Sequence, residues 1–186
     1  FQAQEDAARL IALLALVSLG MIFLVLYSRY RSVVLTAIIM GNIPLALVGS
    51  VVALWISGQP LSVAALVGFI TLTGIATRNG ILKISHYINL CAFEGETFGD
   101  PMIVRGSLER LTPVLMTALV AAFALVPLLV SADAPGKEVL HPVAVVIFGG
   151  LVSSTLLDTL LTPVMFRLWG GKPLRHLLAQ QEQTSF

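Results

Sequence analysis

Charged residues are scarce in this chain: Asp, Glu, Lys and Arg make up 11% of its 186 residues, against about 25% in an average soluble domain. The net charge is only +1, and no basic stripe is present, which argues against a nucleic-acid surface. The single cysteine, Cys91, excludes an internal disulfide framework and a cysteine-based metal cluster within the chain. What remains is 57% hydrophobic, a composition typical of a membrane protein.

Sequence motifs for catalysis and cofactor binding are also missing. The chain has no phosphate-binding glycine loop, no HExxH, no CxxC and no Ser/His/Asp order typical of hydrolases. His141 and Asp133 are too sparse to predict a metal site. We therefore expect neither an enzyme nor a resident metal or cofactor.

Long apolar runs predict the architecture, because a membrane helix needs about 20 mostly apolar residues. Five runs qualify, at about residues 10–27, 33–56, 62–88, 112–130 and 143–168. Residues 101–111 are predicted to form a short amphipathic helix on the membrane interface between the third and fourth spans. The expected fold is an all-α membrane protein: a five-helix bundle over residues 1–169, followed by a partly disordered polar tail at 170–186.

The positions of Lys and Arg predict the orientation, because cytoplasmic loops are enriched in both. Arg9 and Lys137 fall on one side of the five spans. The other side holds seven basic residues: Arg29, Arg31, Arg105, Arg110, Arg167, Lys172 and Arg175. This predicts an outside N-terminus and a cytoplasmic C-terminus. Since residues 1–9 lack the features of a signal peptide and the chain begins with Phe1, we expect a fragment preceded by at least one earlier span and an external domain.

Small residues indicate close packing of the helices. Two small-xxx-small pairs, Gly149/Ser153 and Gly150/Ser154, lie in the fifth span. Gly68 and Gly74 leave the third span without side chains at two positions. Such residues let helix backbones approach closely in a membrane, so the spans are expected to form a bundle.

Arg78 is the first functional candidate, because an ionisable side chain at membrane depth is costly and is usually kept for a pathway, a relay or a counter-ion. Thr71 lies on the same helical face, and Asn79 offers a further hydrogen bond on the neighbouring face. The functional hypothesis is that Arg78 changes partners as a proton moves. The alternative is a fixed counter-charge to a carboxylate on another helix.

Asp158 lies in the middle of the fifth span, where a carboxyl group must be paired or protonated. It can pair with Arg78 as a structural charge or load and release protons, and both hypotheses stay open. Lys83 and His86 are expected to reach the interface, Lys83 by snorkelling. For Thr117, a bond back to its own helix is favoured over one across helices.

Several segments, in order and at matching spacing, resemble the C-terminal membrane half of a resistance-nodulation-division efflux pump. They are NIPLA at 42–46, GFI at 68–70, GIATRNG at 74–80, RLTPVLMTA at 110–118 and GGLVSS at 149–154. The resemblance covers residues 1–169, and the 110–118 block is its most specific part. It implies that the five spans are the last five of twelve in a bacterial inner-membrane transporter.

The resemblance further implies a homotrimer that joins a periplasmic adaptor and an outer-membrane channel and exchanges protons for substrate. The N-terminal half of the transporter would supply the essential acids. Arg78 falls where multidrug members have a relay lysine, Thr117 matches a relay threonine, and Arg110 matches a basic position before the proline. Asp158 stands where many members are apolar. Residues 133–138 and 141–142 resemble the heavy-metal-exporting branch more than the multidrug branch.

Three functions are therefore weighed: proton-driven export of toxic metal cations, export of organic amphiphiles by the same machine, and a non-transporting membrane scaffold. The relay residues expected from the sequence and the resemblance are Arg78, Asn79, Thr117 and Asp158, with Thr71, Lys83 and Arg110 as secondary candidates.

Overall fold

The computed structural model describes residues 2–130 and 139–184, with side chains for 5–130 and 139–179. Six helices make up this part of the chain: α1 Gln2–Tyr30, α2 Val33–Ser57, α3 Val63–Phe93, α4 Asp100–Val130, α5 Leu140–Trp169 and α6 Gly171–Thr184. The first five are long and apolar enough to cross a membrane. The expectation of five helices with the length and composition of membrane spans is thereby confirmed, and Lys137 lies outside the described residues.

Short connections between the helices carry the residues that end and begin them. Ser32 and Ser62 cap α2 and α3, where their hydroxyls accept hydrogen bonds from the backbone N–H groups of Leu35 and Ala65. Gly58 ends α2 in a left-handed conformation with φ of 65°, which glycine adopts at little cost. The tight turns place α1, α2 and α3 side by side in alternating directions.

The centre of the bundle is the contact between α2 and α5, onto which α3 packs. A Cβ atom on Gly49 would overlap Ser153, and one on Gly149 would overlap Ala53, so the two backbones touch. Ser153 donates a hydrogen bond to the carbonyl of Leu45 at 2.8 Å. Small residues of the fifth span therefore allow a close helix contact, as their spacing predicted.

The largest apolar core lies at one end of the bundle, where α1, α3 and α5 end and α2, α4 and α6 begin. Tyr30, Tyr87 and Phe166 are buried there together with Leu35 and Leu174. In contrast, the outer faces of α1 and α4 are exposed along most of their apolar length. Apolar surface on this scale suits contact with lipid or with further helices.

Two sequence predictions need correction. Residues 101–111 are not a separate helix, because α4 runs without interruption from Asp100 to Val130 and passes through Pro113. The tail after Trp169 forms the helix α6 over most of its length, and Leu174 is fully buried against the core. An amphipathic helix with a docking site can order a segment whose composition is polar.

Candidate functional site

An ion pair lies buried between α3 and α5. The Lys83 ammonium donates to Asp158 Oδ2 at 2.7 Å and to the Asp158 carbonyl oxygen at 2.9 Å. The side chains are only 5% and 2% exposed. Two charges are retained out of water only when they are paired and hydrogen-bonded, and here each satisfies the other.

The pair continues into a polar chain that reaches α2. The Thr162 hydroxyl contacts Asp158 Oδ1, one helical turn away on α5, and Asn42 Oδ1 at 3.0 Å. Asn42 is buried, and its Nδ2 has no hydrogen-bond partner. Four side chains from three helices thus form one network: Lys83, Asp158, Thr162 and Asn42.

A single hydroxyl hydrogen cannot serve two acceptors at once, so the contacts of Thr162 constrain the protons of this network. If Asp158 is ionised, the Asn42 amide must turn its NH2 group to Thr162, which then donates to the carboxylate. If Asp158 carries a proton on Oδ1, it donates to Thr162, which donates to Asn42 Oδ1. The network therefore accommodates two proton patterns, which differ in the orientation of the Asn42 amide.

Matching depth explains why these residues meet. Lys83 lies ten residues before the end of α3 at Phe93, and Asp158 lies eleven before the end of α5 at Trp169. At about 1.5 Å per residue, both sit roughly 15 Å from the same end of the bundle. Arg78 lies five residues before Lys83 on α3, so it is about 7 Å farther than Lys83 from this end of the bundle.

Beside the ion pair, a cavity of about 250 Å³ opens between α3 and α4. Arg78 and Asn79 line it together with Lys83, Arg110 and Thr117. Arg110 Nε is buried there without a hydrogen-bond partner. Within the described chain, Arg78 and Arg110 make no ion pair. The lining of the cavity therefore has three cationic side chains and no acidic one, and only Lys83 among the three is paired with a carboxylate, that of Asp158.

The predicted site residues divide into two groups. Arg78, Asn79, Lys83, Arg110 and Thr117 come together at the cavity, and Asp158 borders it through Lys83. Thr71 is not among the residues that line the cavity. It is exposed, and its hydroxyl donates to the carbonyl of Val67.

Local hydrogen bonds confirm the expectation for Thr117 and give His86 a partner. The Thr117 hydroxyl contacts the carbonyls of Pro113 and Val114 in its own helix, as predicted. His86 contacts Glu109 at 2.7 Å on the partly exposed surface between α3 and α4.

The structure overturns two expectations about charge. Asp158 pairs with Lys83, and not with Arg78, which is exposed on the cavity side of the chain. Lys83 is 4% exposed and does not snorkel to the interface. Since the Asp158 carboxylate lies at the same depth in the bundle as Lys83, Lys83 is the nearer cation and forms the ion pair.

Sequence reasoning also missed the roles of Asn42 and Thr162. Two signals were available: Asn42 is a polar residue inside an apolar span, and Thr162 lies four residues after Asp158 on the same helical face. Neither signal identifies the partner, because helix packing decides which faces meet.

Among the side chains that the structure describes, no group of three or more His, Cys, Asp or Glu residues is arranged to hold a metal ion. The arrangement can instead hold or bias a proton, because a buried carboxylate that contacts a hydroxyl is paired with a lysine, and that lysine lines a cavity with two further cations.

Comparison with known proteins identifies the family of this chain. The profile of the AcrB/AcrD/AcrF family matches residues 1–170. The chain belongs to the AcrB/AcrD/AcrF family. The resemblance to resistance-nodulation-division efflux pumps is thereby confirmed, and the relatives are transporters and not enzymes.

Metal-resistance proteins are among its relatives in this family. The chain is 39% identical over 168 residues to the cobalt-zinc-cadmium resistance protein CzcA of Cupriavidus metallidurans, covering 90% of this chain and 16% of that protein. It is 37% identical over 178 residues to the nickel and cobalt resistance protein CnrA of the same organism, covering 93% of this chain and 16% of that protein.

A solved structure agrees with these relatives. A crystal structure of a heavy metal efflux pump matches with a TM-score of 0.80 and 36% identity, over 91% of this chain and 17% of that one. The chain thus spans about one sixth of the length of the relatives it matches. It is a multi-pass membrane segment of an efflux transporter family.

Proposed function

We propose that the chain is part of a proton-driven efflux transporter of the bacterial inner membrane that exports toxic metal cations as a proton antiporter. The metal-resistance relatives support metal cations, and not organic amphiphiles, as the exported substrate. The unbalanced positive charge of the cavity beside Lys83 is the observation that carries the coupling role, because Arg78 and Arg110 have no anionic partner among the described residues.

Uncompensated cations at membrane depth call for carboxylates from outside this chain. An arginine keeps its proton at any pH a cell experiences, so Arg78 biases a proton carrier and does not carry the proton itself. We assign the opposing acids to the N-terminal half of the transporter. Asn79 and Thr117 border the same cavity and orient the groups that exchange the proton.

Asp158 is the proton-binding group that this chain supplies. When Asp158 is ionised, it holds Lys83 by its charge and by two hydrogen bonds. A proton that stays on Oδ1 removes the negative charge that retains the ammonium, and the resulting carboxylic acid donates a hydrogen bond to Thr162, which in turn donates to Asn42 Oδ1. Lys83 already lines the cavity, so its release adds positive charge next to Arg78 and Arg110.

The proposed sequence is a two-state switch. Protonation of Asp158 favours the state with Lys83 turned into the cavity, and deprotonation restores the pair. A ligand shifts such an equilibrium only by its differential affinity for the two states, and here the ligand is the proton. Residues 101–111, the start of α4, would lie at the cytoplasmic interface, with the N-terminus periplasmic and the C-terminus cytoplasmic.

We further infer that the intact transporter is a homotrimer that engages a periplasmic adaptor and an outer-membrane channel. Family membership supports this assembly. Metal contacts are assigned to parts of the transporter other than the described residues, which hold no metal-ligand cluster.

A double substitution tests the coupling role against a purely structural one. Lys83→Met with Asp158→Leu replaces the buried pair by apolar side chains of similar volume, which often preserves folding. In cells expressing the intact transporter, we expect normal membrane abundance and loss of protection against cobalt, zinc, cadmium and nickel.

Full metal protection by this double variant would reduce the pair to a structural contact. No protection by the unmodified protein against any toxicant would favour the scaffold alternative. Protection of the unmodified protein against dyes and detergents but not metals would instead favour export of organic amphiphiles. The control is Thr159→Val, because Thr159 only bonds back to the carbonyl of Thr155 on the same helix.

A further inference from the structure

A second cavity, larger and strongly basic, lies at the other side of the apolar core from the ion pair. Its volume is about 680 Å³, within the range of roughly 300–1,000 Å³ typical of ligand sites. The turn between α1 and α2 lines it, as do the end of α5 and the first turns of α6. Residue Phe98, from the connection between α3 and α4, forms part of its wall.

Four Lys and Arg side chains surround this cavity: Arg31, Arg167, Lys172 and Arg175. Arg167 is neutralised by Asp100, with Nε 2.8 Å from Oδ1. Arg31, Lys172 and Arg175 are exposed and have no acidic partner among the described residues. His176 adds a further polar ring to the lining. The cavity is therefore built for an anion.

Apolar side chains complete the lining. Val34, Leu168 and Trp169 border the cavity, and they are 40%, 66% and 57% exposed. All three lie in the first or last turn of helices that are long enough to span a membrane. A tryptophan at such a position suits the headgroup level of a bilayer. A soluble phosphate would leave this apolar surface in water, whereas a lipid covers it with its glycerol and acyl groups.

The local backbone supports a fixed position for the cationic groups. Arg31 has φ of 46°, a left-handed conformation that residues other than glycine seldom adopt. Leu174 is fully buried and anchors α6 against the core, with Leu177 packed beside it. Lys172 and Arg175, on the exposed side of α6, are thereby held next to the ends of the spans.

We propose that this cavity binds the phosphate headgroup of an anionic phospholipid. Basic pockets between membrane helices on the cytoplasmic side recognise such headgroups, and the two phosphates of a diphosphatidylglycerol (cardiolipin) complement the three unpaired cations. The proposal concerns neither the exported substrate nor the proton, so it stands apart from the transport function.

The test is a lipid titration of the intact, delipidated protein followed by native mass spectrometry. Cardiolipin should bind at least about tenfold more tightly than phosphatidylcholine. Since each basic residue near an anionic lipid surface contributes about 1 kcal/mol, Lys172→Gln with Arg175→Gln should weaken cardiolipin binding about 25-fold. The charge-retaining pair Lys172→Arg with Arg175→Lys should bind within about twofold of the unmodified protein.

The matched control is Arg9→Gln with Arg29→Gln. It removes the same charge from two exposed arginines that do not line the cavity, and it should leave cardiolipin binding unchanged. An equal loss in both double variants would mean general charge attraction and would overturn the site.

Competition with inorganic phosphate separates the two sources of the same headgroup chemistry. Millimolar phosphate should not displace cardiolipin if the apolar lining contributes to binding. Complete displacement would show a site for a free anion and would overturn the lipid proposal. Retained metal protection in the Lys172→Gln/Arg175→Gln variant would leave the transport function intact whatever the lipid result.

Discussion

Lys83 of α3 and Asp158 of α5, 75 residues apart in sequence, form a buried ion pair with 2.7 Å between Nζ and Oδ2. The Lys83 ammonium also donates to the backbone carbonyl of Asp158. The pair ties the two helices at a single register, and it borders the cavity that contains Arg78 and Arg110. Several measurements follow from this contact.

Breaking the pair from one side should cost more than removing it. Asp158→Leu alone leaves the Lys83 charge buried without a counter-charge, and such changes destabilise proteins by about 3–5 kcal/mol. We expect that loss in the free energy of unfolding, measured by denaturant titration in detergent micelles with circular dichroism. Lys83→Met added to Asp158→Leu should recover most of it.

Comparing Asp158→Leu with the double variant shows whether the loss of stability comes from the unpaired Lys83 charge. If the double variant were as unstable as Asp158→Leu, the loss would come from packing at position 158 and not from an unpaired charge. The double-mutant cycle isolates the interaction between the two residues.

Thr162 should matter for stability more than its neighbour Thr159. Thr162→Val keeps the side-chain volume and removes the hydroxyl that joins Asp158 to Asn42, so two buried polar groups lose a partner. A buried group left without a hydrogen bond costs about 1–3 kcal/mol. The expected result is a lower midpoint in the same denaturant titration.

Thr159→Val is the control for Thr162→Val, since the Thr159 hydroxyl bonds only to the carbonyl of Thr155. Its midpoint should change little. Equal midpoints for the two variants would contradict a special role for the Thr162 hydroxyl.

Arg78 should affect transport without affecting folding. Arg78→Ala removes a side chain that makes no hydrogen bond with a described residue, so it leaves the contacts within this bundle in place. In cells carrying the intact transporter, we expect unchanged membrane abundance and loss of metal protection. Survival assays on cobalt, zinc, cadmium and nickel, with immunoblots of the membrane fraction, measure both.

Arg29→Ala serves as the control for Arg78→Ala, because Arg29 is exposed near the end of α1 and does not line the cavity between α3 and α4. It should retain protection. Protection that survives Arg78→Ala would remove Arg78 from the proposed coupling mechanism.

The contact between α2 and α5 should tolerate no added side chain. A Cβ on Gly149 would overlap Ala53 and lie 2.8 Å from the carbonyl oxygen of Gly49, so Gly149→Val must push the helices apart. Overpacking of this kind costs about 1–3 kcal/mol. The expected outcome is a lower unfolding midpoint and reduced membrane abundance.

Gly74→Ala provides the matched test on α3. Nothing lies within 4 Å of a Cβ at Gly74, and alanine is the better helix former. Its unfolding midpoint should stay equal or rise slightly. A loss as large as that of Gly149→Val would mean that Gly74 packs against a partner beyond this chain.

Much of the fold was predictable because its signals are local. Each span could be counted from its own apolar length, and the Gly149/Ser153 spacing indicated a close helix contact that the structure contains. The predictions failed where a segment was judged alone. Residues 101–111 form the first turns of the long helix α4. The polar segment after Trp169 is helical because Leu174 packs into the core.

The candidate site was predictable in its residue types and not in its contacts. Arg78, Arg110 and Thr117 were selected from the sequence, and they line one cavity. Asp158 was selected too, but the partner considered for it was Arg78 and not Lys83. Helical periodicity gives the face of a residue on its own helix, and it contains no information about the helix opposite.

The sequence by itself determined that five segments are long and apolar enough to cross a membrane and that charged residues lie within them, because both properties depend on the composition of each segment alone. Only the tertiary structure decided that Asp158 meets Lys83 and that Thr162 reaches Asn42. Those contacts depend on the relative positions of α2, α3 and α5 along the bundle, which the close approaches of Gly49 to Gly149 and of Gly68 to Val146 help to set.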